Sequence, residues 1–281
     1  MLKDFVVFIL SHGRANNVKT LKTLKHCGYT GDYYIVIDDE DETASEYLST
    51  YSERVLMFSK SEIAKTFDEC DNFDKRGVIV YARNACFELA KKLGKRYFLE
   101  LDDDYTAFLY RYIKNGKLCS HSIKNIDNIF LAFLEFLKNT PTKSIAFSQG
   151  GDLIGGVENQ RLKQGLLRKA MNSFFCDIEK PFKFIGRVNE DVNTYCLLGT
   201  QGELFFTFVG VSLNQMQTQK NKGGMTGEYL DSGTYIKTFY TIITNPSCVK
   251  IAMMGDKHYR IHHNVDWESC TPKILNERWK K

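Results

Sequence analysis

Short apolar runs alternate with amphipathic stretches along the first half of the chain. Residues 5–10 are continuously apolar, which is typical of a strand buried on both faces. After a polar loop, residues 18–27 carry apolar side chains at helical spacing, and Gly28 provides a C-terminal stop. The N-terminal segment is therefore predicted to form a strand, a loop and a helix.

The same alternation continues to about residue 150. Further strands are predicted at 33–37, 54–58, 96–101 and 144–147, and further helices around Tyr47 and Leu48, at 82–93 and at 126–138. Strands that alternate with helices favour an α/β fold in which helices flank a mostly parallel sheet.

The pattern changes beyond Gly150. Glycine-rich loops appear, together with aromatic runs at 204–209 and 235–243 that are typical of strands, and a polar segment at 215–224. We expect a single domain over residues 1–281, with an α/β half at 1–150 and an appended α+β half at 151–281.

Composition adds limits to this picture. Hydrophobic residues make up 43% of the chain and aromatic residues 13%, which indicates a sizeable core. No apolar run approaches the roughly 20 residues that span a bilayer, and the first residues lack a cleavage site, so we expect a soluble cytoplasmic protein. Eight cysteines occur without a C-x-x-C pair, and we expect free thiols. The net charge of +4 suits a polyanionic partner without requiring one.

Three consecutive aspartates, Asp102, Asp103 and Asp104, follow the predicted strand at 96–101 directly. In open α/β sheets, ligands bind outside the carboxyl ends of the strands. Adjacent carboxylates repel one another, and Mg²⁺ or Mn²⁺ would hold them ionised while also binding a diphosphate. A solvated acidic turn is the alternative, but the position at the end of a buried strand favours a metal site.

Two further segments could bind an anion. Ser11, Gly13 and Arg14 lie in the loop after the first strand, where a glycine allows close backbone approach and an arginine can contact phosphate. Arg83 and Asn84 open the helix before the aspartates, and Arg83 could neutralise a diphosphate. The alternatives are an ordinary loop and the start of a surface helix.

Candidate acid-base and metal-binding groups recur late in the chain. Glu190 and Asp191 form an acidic pair between apolar flanks, where a carboxylate could deprotonate an acceptor hydroxyl. A helix N-cap at Asn189 with acids in the first turn is the alternative. A histidine cluster near the C-terminus could complete a metal shell or bind phosphate. It consists of His258, His262 and His263.

The order of these motifs resembles that of GT-A glycosyltransferases, which share a nucleotide-binding first loop, a DxD metal motif, an xED base and a C-terminal metal histidine. Within that fold, the chain looks most like the TET/JBP-associated glycosyltransferases, which include base J glucosyltransferase and phage enzymes acting on hydroxymethylated pyrimidines in DNA. The resemblance rests on FILSHGR, YYIVIDDED, YARNACFELA, FLELDDD and GDKHYRIHHNVDW and covers most of the chain.

The resemblance implies a donor side for several positions. Contacts to the nucleotide would come from Ser11, Gly13, Arg14 and, near the uracil or ribose, Asp38. Arg83 and Asn84 would face the diphosphate, and Asp103 would also belong to the donor site. Asp102 and Asp104 match the outer positions of DxD, with Asp104 as the direct metal ligand. The glycine-rich loop matches Gly150-Gly151 rather than Gly155-Gly156.

The resemblance also implies the remaining chemistry. Asp191 matches the catalytic base, with Glu190 beside it, and His262 matches the metal histidine, with His263 as the close alternative. Residues 1–150 would bind the nucleotide sugar, and residues 151–281 would bind the acceptor and carry the base.

The function implied is transfer of a hexose or pentose from a UDP-sugar, with Mn²⁺ or Mg²⁺ and inversion, to hydroxymethylated pyrimidines in double-stranded DNA. A phage-encoded enzyme would act in the host cytoplasm. DNA contacts are expected from basic residues at 161–169 and 220–222 and from the aromatic residues Phe174, Phe175 and Trp267. The alternatives are a transferase acting on a carbohydrate or small acceptor, a catalytically idle DNA-binding module, and a nucleotidyltransferase.

Overall fold

The central sheet is built around β1 (Phe5–Leu10), whose six residues are all buried. In the computed structural model, which describes residues 2–70, 75–216, 235–255, 259–270 and 276–279, ten strands form this sheet. The strands besides β1 are β2 (Asp32–Asp38), β3 (Val55–Phe58), β4 (Tyr97–Asp102), β5 (Tyr105–Lys114), β6 (Lys117–Ser122), β7 (Thr142–Ser148), β8 (Leu166–Leu167), β9 (Phe174–Asp177) and β10 (Leu204–Gln215).

The strand order is β3-β2-β1-β4-β9-β7-β10-β5-β6, and β8 pairs with β10. The pairs β3/β2, β2/β1, β1/β4 and β7/β10 are parallel, while β9, β5, β6 and β8 run antiparallel to their neighbours. The register pairs Leu10 with both Val36 and Asp102, so β1, β2 and β4 end at the same edge of the sheet.

Alternate side chains of β1 point to opposite faces of the sheet, and both sets are apolar and buried. Helices therefore cover both faces. One face packs against α1 (Lys19–His26), α2 (Ala44–Tyr51) and α5 (Ile126–Asn139), and the other against α4 (Val80–Lys92) and α7 (Glu190–Thr200). Two short helices, α3 (Lys60–Ala64) and α6 (Gln160–Gln164), complete this part of the chain. The predicted α/β class, with a large mostly parallel sheet flanked by helices, is confirmed.

The C-terminal segment adds α8 (Ile236–Thr244), a hairpin of β11 (Val249–Met254) and β12 (Arg260–Val265), and α9 (Trp267–Cys270). The prediction of a strand at 235–243 is wrong. The helix buries Thr238 and Thr241 and packs Ile242 against the core, while Phe239 and Ile243 stay exposed, so its inner face mixes polar and apolar residues.

The cysteines differ from expectation at one pair. Cys248 and Cys270 form a disulfide with their Cα atoms 5.7 Å apart, which corrects the expectation of free thiols throughout. The six remaining cysteines are not in disulfides. The bond ties α9 to the start of the β11–β12 hairpin. No helix in the described ranges is long and apolar enough to cross a membrane.

Candidate active site

A cavity of about 1160 Å³ opens at the carboxyl edge where β1, β2 and β4 end. This is the edge at which α/β sheets bind ligands. The cavity is lined by most of the positions singled out in the sequence, namely Ser11, Arg14, Asp38, Arg83, Asp102, Asp103, Asp104, Gly151, Glu190, Asp191, His262 and His263. Three other positions, Gly13, Asn84 and Gly150, do not line it. His258 and residues 220–222 lie outside the described residues.

The first loop is fastened to the aspartate motif through Asp103. The Ser11 hydroxyl donates to Oδ2 of Asp103 at 2.5 Å, and Nη1 of Arg14 contacts Oδ1 at 2.8 Å. Ser11 also lies 2.6 Å from the hydroxyl of Tyr47 on α2. Asp103 is buried, so its charge is balanced inside the protein by Arg14 rather than by solvent.

Gly13 has a conformational role in this loop. Its φ of +68° is in the left-handed region that favours glycine, and its N–H donates to Oδ2 of Asp41 at 2.8 Å. It faces a second, smaller cavity of about 270 Å³ together with Arg14. The loop therefore needs glycine here for its backbone turn.

Asp38 has two basic partners that the sequence analysis missed. Its Oδ2 lies 2.7 Å from Nδ1 of His12, and its Oδ1 lies 2.9 Å from Nζ of the buried Lys60. Burial would raise the pKa of Asp38, but His12 and Lys60 together lower it. The hydrogen bond to Asp38 raises the pKa of His12. Lys60 lies two residues after the end of β3, and neighbouring parallel strands end at the same edge, which is the signal that could have found it.

The backbone of the aspartate motif is held from both sides. The Thr20 hydroxyl donates to the Asp102 carbonyl at 2.5 Å and accepts from the Tyr105 N–H at 2.9 Å, while the Thr20 N–H donates to the Asp103 carbonyl at 3.1 Å. The N–H of Met216 donates to the Asp104 carbonyl at 3.3 Å. The carboxylates therefore project from a fixed turn.

The carboxyl groups of this motif fit a divalent cation. Burial raises the pKa of Asp102 to about 7 and that of Asp104 to about 6, with neighbouring carboxylates adding to each shift. Oδ1 of Asp104 is buried and has no hydrogen-bond partner among the described residues. No group of three His, Cys, Asp or Glu side chains in the described ranges could hold a metal alone. Such a carboxylate pair suits Mg²⁺ or Mn²⁺ that takes its other ligands from substrate phosphates and water.

Arg83 is buried and contacts three carboxylates, so the alternative that it begins a surface helix is wrong. Its Nη2 lies 3.1 Å from Asp102, and its Nε lies 2.9 Å from Glu190. Its Nη1 lies 3.5 Å from the buried Glu100. The guanidinium is 2% exposed, so it joins the aspartate motif to the Glu190–Asp191 pair and is not a free phosphate ligand.

The prediction of a diphosphate contact for Asn84 is wrong. Its amide donates to the Phe184 carbonyl at 2.9 Å and accepts from the Phe184 N–H at 2.9 Å, and the residue is fully buried. Both polar atoms of its side chain are therefore used in holding the segment before α7.

Asp191 is the better placed of the two acids at the start of α7. Glu190 is paired with Arg83, whereas Asp191 forms no ion pair within the described part of the chain. Burial and the adjacent Glu190 raise the pKa of Asp191 to about 6. Asn189 precedes the helix with a left-handed φ of 56°, and its amide donates to the Lys237 carbonyl and the Thr241 hydroxyl instead of capping the helix.

Both histidines of β12 reach the cavity. The rings of His262 and His263 lie 4.4 Å apart, and burial lowers the pKa of His263 to about 4, with His262 and Lys237 adding to the effect. His263 is therefore a neutral imidazole near pH 7. A neutral ring nitrogen can accept a hydrogen bond or ligate a metal.

The glycine-rich loop after β7 forms a short 3-10 helix, Gly150–Leu153. Gly151 lines the cavity, and Gln149 and Asp152 cap the turn reciprocally. Lys169 forms an ion pair with Asp152, and both line the same wall. The sequence analysis did not identify this ion pair.

An aromatic pair lies on the wall that carries Asp191. Tyr195, one helical turn after Asp191, stacks on Trp267 with ring centres 5.5 Å apart and planes 14° apart. Trp267 is partly exposed on the cavity wall. Phe174 and Phe175 are buried in the core, so the expectation that they contact DNA is wrong.

The fold is a mixed α/β fold in which helices flank a large sheet. Comparison with known proteins gives the family. The family described as TET-Associated Glycosyltransferase matches residues 5–224. The chain belongs to this family of glycosyltransferases, as the sequence motifs predicted. Lys237, Met254, the 262–265 segment and Trp267 line the cavity from beyond the matched residues.

Solved structures with a similar course of the chain include glucosyl-3-phosphoglycerate synthase from Mycobacterium tuberculosis. Its complex with Mn²⁺, UDP and phosphoglyceric acid is 8% identical, with 93% of this chain and 86% of that chain covered and a TM-score of 0.46. Its complex with Mg²⁺ and UDP is also 8% identical, with 93% and 87% covered and a TM-score of 0.45. No curated protein matches the chain.

Proposed function

We propose that this protein transfers a sugar from a UDP-sugar to the hydroxyl of a 5-hydroxymethylpyrimidine in DNA, with inversion at the anomeric carbon. The observation that carries the proposal is that Asp102, Asp104 and Asp191 line one cavity. A volume of about 1160 Å³ exceeds that of most single-ligand pockets and suits a nucleotide sugar together with part of an acceptor.

The donor side of the proposal uses the carboxyl edge of β1, β2 and β4. Asp102 and Asp104 would hold Mn²⁺ or Mg²⁺, with His262 as a further candidate ligand, and the cation would neutralise charge on the departing diphosphate. Ser11 and Arg14 orient the aspartate motif through Asp103. Asp38, held by His12 and Lys60, would face the nucleoside.

The acceptor side uses α7 and the C-terminal segment. Asp191 would remove the proton from the acceptor hydroxyl while the oxygen forms a bond to the anomeric carbon and the bond from that carbon to UDP breaks. Trp267, stacked on Tyr195, offers a flat apolar surface for an extruded pyrimidine. The family supports the DNA acceptor, because its name associates it with TET enzymes.

Mass spectrometry of nucleosides tests this proposal directly. DNA containing hydroxymethylcytosine or hydroxymethyluracil would be incubated with the protein, Mn²⁺ and a panel of UDP-sugars. A hexose or pentose mass added to one base is the expected result. Release of UDP without a modified nucleoside would contradict the DNA acceptor and redirect the search to carbohydrate acceptors.

The assignment of Asp191 has its own test. Asp191→Asn should lower the transfer rate by about 10²- to 10⁴-fold with donor binding retained, because the amide cannot take the proton. Wild-type activity should also fall as the pH drops below about 6, where Asp191 becomes protonated. Glu62→Gln, which neutralises an exposed carboxylate on α3 paired with Lys65, is the control. Unchanged transfer by Asp191→Asn would refute its role as the base.

A further inference from the structure

β5 and β6 form a two-stranded ribbon that continues beyond the main sheet. Pairing of β5 with β10 ends at Tyr110, opposite Val211, whereas pairing of β5 with β6 continues to Lys114 and Lys117. Asn115 and Gly116 join the strands, both with positive φ, as in the tight turns that favour hairpins. The end of the ribbon therefore has solvent-accessible strands.

One face of the ribbon carries aromatic and cationic side chains. The register places Tyr110 opposite His121, Tyr112 opposite Cys119, and Lys114 opposite Lys117. Residues directly opposite one another in an antiparallel pair share a face, as do alternate residues along each strand. Both tyrosines and both lysines are exposed.

The ribbon belongs to a surface with few acids. Residues 105–126 contain four basic residues and no Asp or Glu, and so do residues 159–176, although the whole chain has 38 basic and 34 acidic residues. β6 lies beside the 3-10 turn Gly156–Glu158, which leads into the second segment, and Arg161 of that segment lines the cavity. Glu158 is an exposed acid next to the second segment. The basic surface thus extends from the ribbon to the cavity.

Lys114 and Lys117 place two like charges directly opposite each other beside the turn of the hairpin. Neither ammonium group forms an ion pair within the described ranges. Like charges directly opposite in a hairpin are destabilising. One general role of lysines on an exposed edge strand is to prevent aggregation. The two tyrosines on the same face and the connection to the cavity favour an anionic ligand instead, because tyrosine hydroxyls and lysines are common phosphate contacts.

We infer that this face of the β5–β6 ribbon binds the phosphate backbone of duplex DNA and holds the duplex while one base enters the cavity. The inference rests on the proposed DNA acceptor and adds the surface that would bind the duplex outside the catalytic site. Backbone contacts of this kind are independent of sequence and of base modification. The ribbon should therefore bind unmodified DNA as well.

The test is the salt dependence of binding to an unmodified duplex, measured by fluorescence anisotropy. Log affinity falls as log salt rises, and each lost phosphate contact makes this slope less steep by about 0.9. Lys114→Gln/Lys117→Gln should therefore make it less steep by about 1.8. Between 50 and 200 mM salt, wild-type affinity should then fall roughly tenfold more than that of the variant. The variant should melt no lower than wild type, because a repulsion is removed.

The control is Lys65→Gln/Lys91→Gln, which removes the same charge from lysines paired with Glu62 and Glu88. Its salt slope should match that of wild type. A wild-type slope in the ribbon variant would overturn the inference, even if the protein glycosylates DNA. The proposed function fails separately if no nucleoside gains a sugar mass while the ribbon variant still loses salt-dependent binding.

Discussion

Thr20 shows how one buried hydroxyl positions the aspartate motif. It bonds to the backbone on both sides of Asp103 and Asp104. Thr20→Val keeps the shape of the side chain but leaves the Tyr105 N–H without its acceptor. The free energy of unfolding should fall by about 1–3 kcal/mol. Because a small displacement of catalytic groups is costly, the transfer rate should fall by about a hundredfold.

Urea unfolding and the transfer assay check this prediction, and Thr20→Ser is the matched control because it keeps the hydroxyl. The serine variant should retain most of the stability and activity. If the valine variant matches wild type in both measurements, Thr20 does not position the motif.

At the residue scale, the sequence predicted the cavity residues that directly follow a strand. Asp102 and Asp104, which line the cavity, could be placed at the strand ends because they follow a buried strand. Thr20 and Lys60 were missed, because their roles depend on which segments meet in space. Arg83 and Asn84 were assigned to the wrong surroundings, because a polar pair at a helix start gives no sign that other segments of the chain cover it.

At the element scale, the disulfide fixes the position of α9. Cys270→Ser removes a bond that closes a 22-residue separation, and the free energy of unfolding should fall by about 3 kcal/mol. Trp267 should also become more accessible to acrylamide quenching, measured with Trp279→Phe so that one tryptophan reports. Cys119→Ser, at a free thiol, should change neither quantity.

The comparison depends on the oxidation state, which provides a second check. A reducing agent should lower the stability of wild type to that of Cys270→Ser. Equal stability of the two proteins without reductant would contradict a structural role for this disulfide.

Local periodicity predicted most elements but not all of their neighbours. The strand–helix units before residue 150 and the long helix α5 follow from apolar spacing alone. The insertion of β9 between β4 and β7 is a long-range pairing that local spacing does not encode. Helix α8 was misjudged because its buried face contains threonines, which are also typical of strands.

At the scale of the whole molecule, one buried lysine should influence how stability depends on pH. Burial lowers the pKa of Lys143 on β7 to about 8, with Arg278 and Lys180 adding to the effect. The unfolded lysine has a pKa of about 10.4, so between these values the folded chain binds fewer protons. The stability of wild type should therefore rise with pH through this window.

Chemical unfolding of wild type and Lys143→Met from pH 7.5 to 10 measures this effect. Wild type should gain stability relative to the variant by an amount on the order of 2 kcal/mol. Lys91→Met, at an exposed lysine, should leave a constant difference from wild type. A constant difference for Lys143→Met would rule out the effect.

The walls of the cavity come from distant parts of the chain, which can change independently of one another. The aspartate motif is fixed by backbone contacts within the sheet, whereas Trp267 and the histidines belong to a small unit of hairpin and helix held by its own disulfide. Substitutions in that unit leave the contacts of Thr20 and Asp103 untouched. If Trp267 faces the acceptor as proposed, substitutions around this side chain would change the choice of acceptor while the aspartate motif is inherited unchanged.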